Sequence, residues 1–123
     1  MRDRLSALPL FADLDDAQLE RLAAATSEFD APAGQALIER GRPGSGMFVL
    51  EEGEAIVEAP EGTKGLGPGD IFGERALLGD DIERTARVRA VTDVRCLAIA
   101  RPEIEQLLAE NPRLAERLGQ LSA

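Results

Sequence analysis

The 123-residue chain has no histidine, tryptophan or tyrosine. Without histidine it lacks the commonest general base and the commonest metal ligand. Cys/His zinc sites and Ser-His-Asp triads are thereby excluded. Phe11, Phe29, Phe48 and Phe72 are its only aromatics, so platforms for stacking nucleic-acid bases are scarce. Cations are also in the minority: 14 Lys and Arg against 23 Asp and Glu leave a formal net charge of −9. Such a chain repels polyphosphate, which argues against DNA or RNA as a partner. Any small anion would have to be held by a local cationic site working against the overall field. The single cysteine, Cys96, has no internal disulfide partner. Within Val94-Arg95-Cys96-Leu97 it reads as a small buried hydrophobe on a strand. No apolar run approaches the roughly 20 residues of a membrane span, and Met1-Arg2-Asp3-Arg4 lacks the apolar stretch of a signal peptide. The expectation is a cytoplasmic, reducing setting without direct membrane contact.

What is present points to one folded domain over residues 1–123, with apolar residues at 44% and enough length for a single modest core. Three zones are expected. Residues 1–27 read as helical. Asp15-Asp16-Ala17-Gln18 carries a capping-box pattern, Leu19, Leu22 and Ala23 share a helical face, and Leu8, Phe11 and Leu14 are expected to pack under it. Residues 28–100 read as strands. Turn signals recur at Pro32-Ala33-Gly34, Gly41-Arg42-Pro43-Gly44, Glu52-Gly53-Glu54, Pro60-Glu61-Gly62 and Gly67-Pro68-Gly69-Asp70, a texture typical of sandwiches and barrels. Met47 to Leu50, Ala55 to Val57, Arg87 to Val91 and Val94 to Ile99 are expected strands. Arg87-Val88-Arg89-Ala90 alternates as a half-buried strand does, which puts Arg87 and Arg89 on a solvated face. Gly41, Gly44, Gly46 and Gly53 read as turn residues; they lack the Gly-Lys-Ser/Thr ending of a nucleoside-triphosphate loop. Residues 101–123 read as helical again, opened at Arg101-Pro102 and at Asn111-Pro112. Ile104, Leu107 and Leu108 share one face; Leu114, Leu118 and Leu121 form a second stripe that fits a core, a dimer contact or a ligand lid.

The segment from Phe72 to Ala86 carries the chemistry. Gly73 permits close approach of backbone to a ligand. Glu74 to Leu78 has room for about one helical turn, whose free N–H groups would face an anion. Arg84 presents a planar fork suited to two phosphate oxygens, and Thr85 adds a hydroxyl donor. Glu74 repels phosphate, so at such a site it makes sense as an acceptor for a neighbouring sugar hydroxyl. An anion beside a diol describes a nucleotide or a sugar phosphate. Arg75 reads as solvent-facing, and Asp80-Asp81 as an exposed turn. The bland alternatives are an Arg84 paired with Asp80, Asp81 or Glu83, and a Glu74 stabilised only by a helix dipole.

Phe72-Gly73-Glu74-Arg75-Ala76-Leu77-Leu78, followed by Arg84-Thr85-Ala86, resembles the phosphate-binding cassette of cyclic-nucleotide-binding domains. Gly41 through Met47-Phe48-Val49-Leu50-Glu51-Glu52-Gly53 and the opening Leu8-Pro9-Leu10-Phe11 resemble further parts of that family, so the likeness spans nearly the whole chain. It implies a mainly β fold with flanking α: an eight-stranded antiparallel β-roll, jelly-roll-like, with N-terminal helices and two C-terminal helices. It also implies roles. Glu74 would bind the ribose 2′-hydroxyl and Arg84 the cyclic phosphate. Backbone N–H groups of Gly73, Ala76 and Thr85, with the Thr85 hydroxyl, would complete the cradle, and Val57 and Leu66 would lie near the base. The family's base-capping group usually follows the roll, which leaves Leu114, Arg117, Leu118 and Leu121 for that role here. The implied ligand is cAMP, or cGMP through Thr85, with no metal. The implied function is a non-catalytic sensor whose C-terminal helices rearrange and pass the signal to a protein partner or fused effector. The rival readings are a β-roll interaction module that no longer binds nucleotide, and a metal-dependent β-barrel enzyme, which the absence of histidine disfavours.

Overall fold

Helix α2 (Asp16–Ala24) starts where its cap is written. Asp15 Oδ1 accepts from the Gln18 backbone N–H at 2.8 Å, and Gln18 Oε1 accepts from the Asp15 N–H at 3.1 Å. Two otherwise orphaned donors are thus satisfied reciprocally. The computed structural model describes residues 1–38, 46–73 and 87–122, with side chains up to residue 118. Ahead of α2 lie α1 (Arg2–Ser6) and a 3-10 turn (Pro9–Phe11). Among the described residues eight strands follow it: β1 (Thr26–Ala31), β2 (Ala36–Ile38), β3 (Gly46–Glu52), β4 (Ala55–Ala59), β5 (Gly62–Leu66), β6 (Ile71–Phe72), β7 (Arg87–Ala90) and β8 (Val94–Ala100). Helices α3 (Arg101–Glu110) and α4 (Pro112–Ser122) close the described chain.

The strands form two four-stranded antiparallel sheets, ordered β1-β8-β3-β6 and β2-β7-β4-β5. This is the mainly β roll with helices on either side in sequence that the family resemblance implies. Alternation along β3 explains the layering. Met47 and Val49 face one core with Leu97 and Ile99 of β8, while Leu50 faces the other with Cys96. The first core holds the helices against the outer face of the first sheet and includes Phe11, Leu14, Leu19, Leu22, Ile104, Leu107, Leu114 and Leu118. The second lies between the sheets. Leu8 and Ala23 flank the first core as expected.

Expected strands and observed ones agree to within a residue or two at their ends. Val88 and Ala90 point inward, and Arg87 and Arg89 outward, where Arg89 meets Glu58 at 3.3 Å. Gly46 is a correction. It does not sit in a turn but opens β3 opposite Ala100. A Cβ there would stand 2.3 Å from the Ile99 carbonyl oxygen, so close approach of two backbones, not a turn, excludes a side chain. Gly41 and Gly44 lie outside the described residues. Asn111 closes α3 as well as preceding α4, because its side-chain amide donates to the Leu107 carbonyl at 3.1 Å.

Cys96 is fully buried in the inter-sheet core. Burial, with help from the Asp30 and Glu51 carboxylates, pushes its thiol up to about 11. The thiolate is the reactive form, so native protein should not react with a disulfide reagent at pH 8, whereas unfolding in urea should release one titratable thiol. Rapid reaction of the native state would contradict this burial.

Candidate functional site

The described part of the site is built on the end of β6. The preceding turn is held by three short hydrogen bonds: Gly69 N–H to the Leu50 carbonyl at 2.7 Å, Leu50 N–H to the Asp70 carbonyl at 2.9 Å, and Gly67 N–H to Asp70 Oδ2 at 2.8 Å. Residue alternation then splits β6, sending Ile71 to the helical core and Phe72 to the inter-sheet core. Phe72 is 2% exposed. It stacks on Phe48, with centroids 5.2 Å apart and planes at 16°, and Phe48 meets Phe29 edge-on at 5.9 Å. Three of the chain's four phenylalanines thus form one ladder across the first sheet. Gly73 follows at φ +82. That left-handed conformation, open to glycine at little cost, turns the chain out of the strand as it enters the cassette.

Val57 and Leu66 stand on the facing sheet. Leu66 lies opposite Ala55, and Val57 lies between Val88 of β7 and Lys64 of β5. Phe72, Leu66 and Val57 therefore meet in one inter-sheet cluster. Glu74, Arg75, Ala76, Arg84, Thr85 and Ala86 lie outside the described residues. The cluster also contains side chains not singled out from the sequence: Phe48, Leu37 and Val88. Phe48 was findable, because it alternates with Met47 and Val49 and so must face the other side of the sheet. Leu37 was not: a three-residue strand carries no periodicity to read.

Three of the four C-terminal residues considered for a lid pack against the helical part of the molecule. Leu114 and Leu118 are buried in the helical core. Arg117 bridges to Asp13 at 2.7 Å and donates to the Pro9 carbonyl at 3.1 Å. The Leu121 side chain lies outside the described residues. Helix α3 is tied to α2 by Arg21, which donates to Glu110 at 3.1 Å and holds that carboxyl below its ordinary range. Arg4 joins Glu28 and Glu51, and the guanidinium is held in its charged form chiefly by its hydrogen bond to Glu51. These are exposed or half-exposed pairs, so each adds little on its own. Of the two arginines, only Arg4 ties an N-terminal helix to the roll, through Glu28 of β1 and Glu51 of β3. Among the described residues there is no group of three or more His, Cys, Asp or Glu side chains placed to hold a metal ion. No helix among them is long and apolar enough to cross a membrane.

Comparison with known proteins supplies the family. A cyclic nucleotide-gated potassium channel of Rhizobium etli is 34% identical over 114 residues, covering 93% of this chain and 32% of the channel. A cAMP-dependent protein kinase regulatory subunit of Aspergillus fumigatus is 39% identical over 109 residues, covering 85% of this chain and 26% of the subunit. The chain thus spans about a third or less of the curated relatives it matches. Among solved structures, the regulatory subunit of a cAMP-independent protein kinase A from Trypanosoma brucei superposes with a TM-score of 0.80 at 27% identity, over 94% of this chain and 44% of that one. The model of the cyclic nucleotide-binding domain matches residues 28–111, which takes in both sheets apart from the first two residues of β1, the segment from Phe72 to Ala86 and helix α3. With its two sheets, its glycine-terminated β6 and that match, the chain belongs to the cyclic nucleotide-binding domain family.

Proposed function

We propose that this chain is a non-catalytic cytoplasmic sensor that binds a purine 3′,5′-cyclic monophosphate inside the roll. Cyclic AMP is the first choice and cyclic GMP the alternative. One observation carries the reading. The Phe72-Gly73-Glu74 motif leaves β6 through a left-handed glycine, beside an inter-sheet cluster that holds Val57 and Leu66. An apolar wall thereby borders the start of a segment with a carboxylate and an arginine ten residues apart in sequence. Glu74 accepts the ribose 2′-hydroxyl, and Arg84 forks the cyclic phosphate with the N–H groups of Gly73, Ala76 and Thr85. Val57 and Leu66 contact the base. Phe72 holds the cassette's first residue in the core, and Arg75 and Ala86 flank the ligand. The C-terminal helices carry the response: Arg117 leaves Asp13 and the Pro9 carbonyl as α4 moves, and a fused effector or a protein partner reads that movement. A relative named as a cyclic nucleotide-gated channel, of which this chain matches 32%, supports a fused output.

Titration calorimetry of the wild-type chain with cyclic AMP and cyclic GMP tests the reading. Saturable one-to-one binding at submicromolar to micromolar concentration is the expected result. A second reading is favoured by the 27% identity to a regulatory subunit described as cAMP-independent: the roll is kept as an interaction module without nucleotide. It requires no heat of binding and no rise in melting temperature at millimolar nucleotide, whereas a ligand that binds only the native state must raise it.

A further inference from the structure

Outside the roll, the 3-10 turn, the loop after it and the junction of α3 with α4 enclose a cleft of about 440 Å³. Such a volume suits a small molecule, for which pockets run from about 300 to 1,000 Å³. Two turns of a partner's helix, about 11 Å long and 10 Å across, would need roughly twice the space. The buried side chains of Leu10, Leu14 and Leu114 form the floor. Four charged groups stand around it: Asp13, Glu110, Arg113 and Arg117. Three of them are already compensated. Arg117 bridges to Asp13 at 2.7 Å, and Glu110 accepts from Arg21 of α2 at 3.1 Å. Arg113 is left. It is exposed, and among the described residues its guanidinium has no ion pair or hydrogen bond, although the chain carries a net charge of −9. The cleft thus joins an apolar floor to one uncompensated cation.

We infer that this cleft binds a small aliphatic monocarboxylate, whose chain lies on Leu10, Leu14 and Leu114 and whose carboxylate meets Arg113. A planar guanidinium matches the two oxygens of a carboxylate. A second anionic group on the ligand would approach Asp13 or Glu110, so a single negative charge fits best. An amine would be repelled by Arg113, and an alcohol would gain only the apolar floor. The inference goes beyond the nucleotide reading and does not depend on it: the cleft is floored by the helical core, whereas Val57 and Leu66 belong to the inter-sheet core. The competing reading is a crevice left where three elements meet, with an arginine that only keeps the surface wet. Such a crevice has no preference for a carboxylate.

The test is amide NMR of the whole chain titrated with hexanoate, with 1-hexanol and hexylammonium as controls at constant ionic strength. Hexanoate should saturate at roughly millimolar concentration. It should move the amides of residues 10–14 and 110–117 and leave those of Val57 and Leu66 in place. Hexanol and hexylammonium should bind roughly fivefold more weakly or worse. Arg113→Gln changes an exposed side chain, so the fold is kept, and hexanoate should bind it roughly five- to tenfold more weakly. Equal binding of the three probes, shifts centred on Val57 and Leu66, no saturation by about 50 mM, or an Arg113→Gln variant that binds hexanoate as wild type does would each overturn the inference.

Discussion

Replacing Arg84 with alanine should weaken cyclic nucleotide binding by roughly 100-fold, about 3 kcal/mol, the cost of removing one partner of a charge-assisted contact and leaving the other buried without it. The size of the effect follows from the charge balance. With 23 acidic against 14 basic residues, the background field opposes an anionic ligand, and a local arginine must overcome it. Arg84→Lys should recover only part of the loss, because an ammonium keeps the charge but not the planar fork that meets two phosphate oxygens at once. Calorimetric titration of wild type and both variants checks this. A dissociation constant for Arg84→Ala within threefold of wild type would sink the phosphate assignment, and the acidic cassette would then need a different ligand.

The second large effect concerns Phe72, and it falls on stability. Phe72 is 2% exposed and stacked on Phe48. Truncating a buried phenylalanine to alanine costs about 3–5 kcal/mol, through lost transfer energy and the cavity left behind. That is a large share of the 5–15 kcal/mol typical of a folded domain. Urea denaturation of Phe72→Ala should show a sharply lowered midpoint or a chain already unfolded without denaturant. Phe72→Leu keeps much of the volume and serves as the informative variant. It should lower the melting temperature while leaving nucleotide affinity within about threefold if the ring acts by anchoring the strand that delivers Gly73, as its burial against Phe48 implies. A loss of affinity that outruns the loss of stability would instead make the ring a ligand contact. A loss of stability below 1 kcal/mol in Phe72→Ala would contradict the packing.

Much of this molecule is legible residue by residue because the signals are local. The Asp15–Gln18 capping box specifies the start of α2, and it forms as written. The alternation from Arg87 to Ala90 specifies which face of β7 is wet, since a strand's side-chain period is two. The Gly67 to Asp70 turn is specified by its own glycines and by the Asp70 carboxylate that accepts from Gly67. The cassette from Phe72 to Ala86 is legible in another way. Its residue types, and their resemblance to a known family, suggest the proposed chemistry before any fold is known.

Other features were decided only by tertiary structure. Gly62-Thr63-Lys64-Gly65 reads as a turn and its flank, yet it becomes β5 because β4 supplies a pairing edge; glycine-rich segments have little strand preference of their own. Gly46 lies in β3 because two backbones approach too closely for a side chain, a fact about Ile99 that position 46 does not encode. The C-terminal leucines could have served as lid, dimer contact or core with the same helical spacing. The burial of Leu114 and Leu118 in the core that holds Phe11 and Leu14 was settled by where α4 docks. Local composition and period determined the helices and four of the strands, and they carry the chemistry proposed for residues 72–86. Which surfaces face each other depended on pairings between residues far apart in the chain, and no short window of sequence contains that information.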